Sequence, residues 1–150
     1  MRCAVIADVH ANPSALAAVA ADIRGRGMDM VLNAGDTFGY YPWAQEAFEV
    51  LQSLPALSVL GNHDALVRGA ARPEKPPSYW AAIEQNRQAL SRSAWAWLRS
   101  LPLDLRLDLA GHHLDRGRVA LPPQTAAGPK GLVGAAPVGD PSAWPMQPAE

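Results

Sequence analysis

Apolar and polar positions alternate along the first sixty residues in a way that predicts short buried strands separated by helices. The apolar runs lie at 2–7, 30–34 and 57–60, and each one leads directly into a glycine or a polar residue. Short uninterrupted runs of this kind are typical of strands that are buried on both faces, as in parallel sheets. We therefore predict three parallel strands in this part of the chain.

The two segments between these strands have the spacing of amphipathic helices. Asn12 is a good N-cap and Pro13 suits the first helical position, and apolar residues then recur at helical intervals until Gly25. A second helix is predicted to begin at Pro42 and to end before Pro55. Strands and helices that alternate with short connections predict an α/β fold with a parallel βαβαβ sheet and right-handed crossovers.

Beyond Asp64 the pattern changes. We predict a loop over 68–77, a helix from Ser78 to about Leu90, and a second helical piece that ends near Pro102. Leucine occupies every second position over 103–109, which predicts a strand with one buried face, followed by a turn.

The last part of the chain has no sustained periodicity. Residues 116–150 hold seven prolines and five glycines, and such a composition predicts an irregular or disordered tail. The sequence thus divides into one α/β domain over 1–115 and a tail over 116–150.

Composition narrows the classes of function. The chain has 150 residues and a net charge of −1, so no basic surface indicates nucleic-acid binding. Its single cysteine, Cys3, excludes an internal disulfide framework. No export signal is recognisable, and no stretch approaches the roughly 20 apolar residues of a membrane span. We therefore expect a cytoplasmic protein.

Three polar clusters carry the candidate chemistry, and each follows a predicted strand. They are Asp8-Val9-His10, Gly35-Asp36 and Gly61-Asn62-His63-Asp64. Because ligands bind at the carboxyl ends of parallel strands, we expect these clusters to converge. Carboxylate, imidazole and amide donors suit a divalent metal, with manganese, iron and zinc as equal candidates. The alternative is three unrelated turns, where Asp and Asn are common.

The residues of these clusters and their order resemble the signature of calcineurin-like metallophosphoesterases, in particular the small bacterial members. The resemblance extends from residue 1 to about 110, and it implies half of a two-sheet sandwich with flanking helices. It also implies that Asp8 and His10 bind a first metal, that Asp36 bridges two metals, and that Asn62 binds the second. His63 would face the phosphate, where it would protonate the leaving group or steady charge in the transition state.

This allocation agrees with the physical chemistry of two-metal sites. Two cations about 3.5–4 Å apart clamp the attacking and leaving oxygens of an in-line displacement, and a metal-bound hydroxide supplies the nucleophile. A bridging carboxylate such as Asp36 lets two like charges lie so close together. The reference pKa of histidine, near neutrality, suits His63 for proton donation.

The sequence departs from the family where complete members supply further histidines. Here the only later histidines are His112 and His113, which we place at a solvated turn, and Arg116-Gly117 stands where a ligand is expected. A shifted reading frame or early truncation near residue 112 would account for this. The second half of the domain is then missing or altered, the second metal is held weakly, and activity is low. Uncovered apolar sheet surface, including the leucines of 103–109, would favour self-association.

The sequence therefore predicts a metal-dependent hydrolase of phosphomonoesters or phosphodiesters, acting on a phosphorylated small molecule or protein. The alternative is a non-catalytic remnant or binding module that retains at most one metal. A nucleotide-binding fold of the Rossmann type is disfavoured, because the first strand–helix turn lacks a Gly-x-Gly-x-x-Gly run. Tyr40 and Tyr41 follow the Gly-Asp turn and either line a substrate cleft or pack within the loop.

Overall fold

The computed structural model describes residues 2–109 and 112–116. The elements in this part of the chain are, in order, β1 (Cys3–Ile6), α1 (Pro13–Gly25), β2 (Met30–Asn33), α2 (Ala44–Gln52), β3 (Ala56–Ser58), α3 (Asn62–Arg68), α4 (Pro77–Ala89), α5 (Arg92–Ser100), β4 (Leu105–Leu109) and β5 (His112–Arg116). None of the helices described here is both long enough and apolar enough to cross a bilayer.

The first three strands form a parallel sheet in the order β1-β2-β3. Cys3 pairs with Met30 across β1 and β2, and Leu32 pairs with Leu57 across β2 and β3. The central strand is the most buried of the three, since Val31, Leu32 and Asn33 have no exposed surface. The predicted α/β fold with a parallel sheet is confirmed, although β3 begins one residue earlier and ends two residues earlier than expected.

The remaining two strands form a separate antiparallel pair, in which Leu105 lies opposite Arg116 and Leu109 opposite His112. This pairing corrects the placement of His112 and His113 at a turn, because both lie within β5. The alternation of leucines predicted β4, which begins two residues later than expected, but the sequence offered no comparable pattern for its partner strand. The predicted turn at 110–111 and the predicted tail beyond Arg116 lie outside the described residues.

The helices differ from expectation in three places. Helix α2 begins at Ala44 rather than Pro42, and α4 begins at Pro77 rather than after Ser78. Helix α3 was not predicted at all. Its first turn is fixed by Asp64, whose carboxylate accepts a hydrogen bond from the Gly61 N–H, and it ends at Gly69 in the left-handed conformation. Seven residues are too few to show a helical period in the sequence.

Two apolar clusters hold the elements together. The smaller contains Ala20 and Ile23 of α1 together with Val31 and Leu54. The larger joins α2, α3, α4 and α5, and it includes Phe38, a fully buried residue of the loop that follows β2. The Phe38 ring packs edge-on against Trp97 at 5.9 Å. The loop that carries Asp36 is therefore anchored in the core.

Candidate metal centre

The three strand ends meet at one edge of the parallel sheet, as the sequence predicts. The backbone N–H of Asp8 donates to the carbonyl of Gly35 at 3.1 Å, and that of His10 donates to the carbonyl of Asp36 at 2.9 Å. Ala11 donates likewise to Thr37 at 2.8 Å. These bonds fasten the loop after β1 to the loop after β2, so residues nearly thirty positions apart are neighbours.

The backbone at this edge is strained. Asp8, His10, Ala11 and Asp36 all have φ between 50° and 59°, the left-handed region that non-glycine residues seldom adopt. They are the non-glycine residues with positive φ in the described chain. Such conformations cost on the order of 1–3 kcal/mol each and persist only where surrounding contacts enforce them, often at functional sites. The hydrogen bonds between the two loops supply that enforcement.

The loop after β3 approaches equally closely because two glycines touch. A side chain on Gly35 would place its Cβ 2.6 Å from the Cα of Gly61, and a side chain on Gly61 would overlap the backbone N of Asp36. The backbone N–H of His63 then donates to Asp36 Oδ1 at 2.8 Å. The expectation that these glycines permit close approach of the backbones is confirmed.

Ligand atoms of His10, Asp36 and His63 lie within 4.8 Å of one another. The Nδ1 of His10 lies 3.3 Å from the carbonyl of Phe38, which fixes the ring and turns Nε2 towards Asp8 Oδ1 at 3.4 Å. A second-sphere bond to a backbone carbonyl is the usual way in which a metal-binding histidine is oriented. The donor set of two imidazoles and a carboxylate, with Asp8 beside it, fits a divalent cation of the borderline class.

His63 supplies an independent indication that the site takes a ligand. Its ring is 6% exposed, and its Nδ1 is a buried nitrogen without a hydrogen-bond partner among the described residues. A buried polar atom left unsatisfied costs about 1–3 kcal/mol. That cost is relieved when a cation or a substrate oxygen contacts the nitrogen, so the observed donor set fits a bound metal.

The electrostatics of the centre follow from burial and crowding of carboxylates. Burial, together with the charges of Asp64 and Asp8, raises the pKa of Asp36 to about 7, against the opposing effect of the hydrogen bond from the His63 N–H. Burial and, to a smaller extent, the neighbouring His10 lower the pKa of His63 to about 4. Without a cation, His63 is therefore neutral at pH 7 and lacks the protonated fraction that the reference pKa near neutrality would give it.

Asp64 is a functional residue that sequence reasoning left without a role. It is fully buried, and its carboxylate accepts hydrogen bonds from Phe38 N at 2.9 Å and Gly61 N at 3.0 Å. Burial raises the pKa of Asp64, and hydrogen bonds from the backbone at Phe38, Gly61, Thr37 and Asp36 oppose the rise. Asp64 thus connects the loop after β2 to the loop after β3. Its position at the end of Gly-Asn-His-Asp is the feature of the sequence that could have identified it.

The other predicted ligands have different surroundings. Asp8 has a side chain that is 70% exposed and lies beside His10 at the rim. Asn62 is the first residue of α3, half-buried between Gly61 and His63. Both stay predictions as metal ligands. The structure adds His63 to the atoms within reach of one cation, whereas the resemblance assigned it to the phosphate alone.

The two tyrosines after the Gly-Asp turn take separate places. The Tyr40 ring lies 4.6 Å from the rings of both His10 and His63, and it remains 55% exposed. Tyr41 lines a groove of about 450 Å³ together with Asp8, His10 and residues of β1 and α1. Tyr40 therefore forms one wall of the candidate centre.

Comparison with known proteins agrees with this geometry. The family model described as calcineurin-like phosphoesterase matches residues 1–122. The uncharacterized protein MJ0912 of Methanocaldococcus jannaschii is 37% identical over 109 residues, which are 72% of this chain and 45% of that protein. The crystal structure of a metallophosphoesterase from Sphaerobacter thermophilus aligns with a TM-score of 0.56 and 32% identity, over 72% of this chain and 44% of that one.

A more distant structure, the hypothetical protein PH1004 of Pyrococcus horikoshii OT3, aligns with a TM-score of 0.63 over 82% of this chain and 60% of that chain. Its identity is 17%, so it supports the fold alone. The chain belongs to the calcineurin-like phosphoesterase family. It spans less than half the length of the M. jannaschii and S. thermophilus relatives.

Proposed function

We propose that the chain is a metal-dependent phosphoesterase that hydrolyses a phosphomonoester or phosphodiester. The observation that carries the proposal is the convergence of His10, Asp36 and His63, with one buried histidine nitrogen left unpartnered. Asp8 and Asn62 complete the proposed ligand set from the ends of β1 and β3. A divalent cation bound there would activate water as the nucleophile and offset charge on the phosphoryl oxygens.

The protein's own residues would orient and confine the reaction. The cluster of Asp8, Asp36 and Asp64 gives the site a negative field that favours a cation. His63 is neutral, and its ring is bordered by Tyr40 and by Tyr79, at 4.6 Å and 5.6 Å between ring centres. In this setting it would donate a hydrogen bond to the leaving group through its single N–H and so offset charge in the transition state.

We also propose that turnover is low in this chain. The described residues provide three ligand atoms in mutual reach, which is enough for one cation, whereas a two-metal clamp needs donors for both ions. The alternative is a non-catalytic binding module that holds one cation. We place the protein in the cytoplasm, with a phosphorylated small molecule or protein as substrate.

Asp36→Asn tests the function because it removes the shared carboxylate and keeps the shape. We expect added Mn²⁺ to raise the melting temperature of the wild type and to support hydrolysis of bis(p-nitrophenyl) phosphate, and the variant to lose both responses. Since the variant also removes a carboxylate crowded by Asp64 and Asp8, its metal-free form should gain about 1–3 kcal/mol of stability.

Asp104→Asn is the matched control, because it removes one exposed carboxylate of the same kind. It should behave as the wild type in all three measurements. Cation binding without turnover in the wild type would favour the binding module. Turnover that is equal in the wild type and Asp36→Asn would exclude catalysis at this centre, and iron and zinc in place of manganese would identify the preferred metal.

We propose, finally, that the sheet associates with a second copy. Val5 lies beside Leu32 in the register of β1 and β2, on the outer strand of the three, and it is 63% exposed. Leu57 continues the same row and is 43% exposed. An apolar row that reaches solvent on an outer strand favours contact with another sheet.

A further inference from the structure

Asn86 is a buried amide on α4 that lies far along the chain from every predicted site residue. It has no exposed surface, and its Oδ1 accepts a hydrogen bond from the Gly39 N–H at 3.0 Å. Its Nδ2 lies 3.1 Å from the Gly39 carbonyl, 2.7 Å from that of Tyr41 and 2.8 Å from that of Ala82. Two amide hydrogens thus serve three carbonyls, and the Gly39 N–H fixes which amide atom is the oxygen.

These contacts amount to a clamp on the turn of residues 39–41. Asn86 satisfies both the donor and the acceptor of Gly39, as a neighbouring strand would, although no strand lies there among the described residues. The remaining hydrogen bond of the Asn86 side chain is donated to the carbonyl of Ala82, on the same helix. An exposed loop has thereby been tied to the buried side of α4.

The clamped turn is the part of the chain that touches both histidines of the candidate centre. A Cβ on Gly39 would lie 2.8 Å from the Nδ1 atoms of His10 and His63, so the bare backbone passes directly against both rings. The Phe38 carbonyl just before the turn contacts His10 Nδ1, and at the end of the turn the Tyr41 N–H donates to the His10 carbonyl at 3.1 Å. A shift of this turn would move both imidazoles.

We propose that Asn86 is a positioning residue for the metal centre. It holds the 39–41 turn so that the Tyr40 ring stays against His10 and His63, and so that the two imidazoles keep the orientation in which they reach Asp36. The kinetic part of this inference rests on the proposed phosphoesterase function. The structural part concerns the metal-free protein and stands independently of it.

Asn86→Ala removes the clamp, and Ile83→Val is its matched control. Ile83 is buried one turn earlier on the same helix, so the valine perturbs α4 packing and keeps every hydrogen bond of the Asn86 side chain. At a temperature below both melting transitions we expect kcat/KM with Mn²⁺ to fall about tenfold in Asn86→Ala, because small misplacements of reacting groups slow chemistry steeply. Ile83→Val should stay within about twofold of the wild type.

A double-mutant cycle separates positioning from general damage. Tyr40→Leu removes the ring that the turn presents, and we expect the double variant with Asn86→Ala to lose no more activity than Asn86→Ala alone. Fully additive losses would overturn the link between Asn86 and Tyr40. If the alanine variant does not fold, Asn86→Ser, which keeps a hydroxyl for one contact, takes its place.

The NMR signals of the imidazoles provide a readout that needs no turnover. In the metal-free protein, Asn86→Ala should shift the ring protons of His10 and His63 towards their positions in Tyr40→Leu, because both variants withdraw the Tyr40 ring current. Ile83→Val should leave them unchanged. Unchanged imidazole signals in Asn86→Ala would overturn the proposal, whereas a wild type without hydrolysis would sink only the phosphoesterase function.

Discussion

At the scale of single residues, the metal centre depends on backbone that ordinary side chains avoid. Ala11 is a clear case, because it has φ of 59° without the polar side chain that makes this region easier for Asp or Asn. Its N–H is bound by the carbonyl of Thr37, and it is fully buried. The neighbouring loop therefore imposes the conformation of Ala11.

Gly61→Ala tests how closely the loops must approach. The added methyl group would overlap backbone N and side-chain Oδ1 of Asp36, so one of the two loops has to move. Overpacking of this kind costs about 1–3 kcal/mol. We expect the free energy of unfolding in urea to fall by that amount and the Mn²⁺-induced rise in melting temperature to disappear.

Gly25→Ala is the control for that change, since a Cβ at Gly25 meets no atom within 4 Å. Gly25 is the last residue of α1, where alanine is the better helix former by up to about 1 kcal/mol. This variant should be as stable as the wild type or slightly more stable. Equal stability of the two alanine variants would mean that the loops are not in contact.

At the scale of elements, α3 links the third strand end to the other two through Asp64. Asp64→Asn retains the size of the side chain. In the wild type the carboxylate accepts hydrogen bonds from the N–H groups of Phe38 and Gly61, and in the variant an amide NH₂ would face one of those N–H groups. Leaving such a buried group unsatisfied costs about 1–3 kcal/mol. We expect lower stability in urea and weaker Mn²⁺ binding by calorimetry, although Asp64 itself lies outside the proposed ligand set.

The same substitution also removes a buried charge, and this loss increases the stability, because burial raises the pKa of Asp64 and so disfavours its charged form. A variant more stable than the wild type would show that desolvation of the carboxylate outweighs its hydrogen bonds, and would contradict a stabilising link through Asp64. Asp104→Asn supplies the comparison for a carboxylate on the surface.

The parallel sheet and the meeting of its strand ends could be predicted from sequence because they depend on short apolar runs followed by Gly, Asp and Asn. Helix α3 and Asn86 could not. The helix is too short to show a helical period, and the role of Asn86 depends on hydrogen bonds with a turn that lies 45–47 positions earlier in the chain. Strand β5 was missed because His112-His113-Leu114-Asp115-Arg116 acquires a strand pattern only opposite the leucines of β4.

At the scale of the whole molecule, the proposed self-association through the outer strand β1 can be tested in solution. We expect light scattering coupled to gel filtration to give a mass above that of a monomer, increasing with concentration. Val5→Glu should return the protein to a monomer, because a charge on the exposed row of the sheet opposes pairing with another sheet.

Ala18→Glu is the control, since Ala18 is an exposed residue of α1 that lies outside the groove lined by Val5. It should associate as the wild type does. A wild type that remains monomeric at all concentrations would contradict self-association through this face and leave the proposed metal centre unaffected.

The bonds that join the loop after β1 to the loop after β2, and that loop to α3, have a consequence for how the centre comes apart. Each loop depends on its neighbour, since the N–H groups of Asp8, His10 and Ala11 are bound by carbonyls of 35–37 and the N–H group of Phe38 is bound by Asp64 of α3. We therefore expect amide exchange with solvent at these positions to be governed by one shared opening event. Isolated peptides with the sequences of these motifs would lack the hydrogen bonds between loops and would not adopt the geometry of the candidate centre.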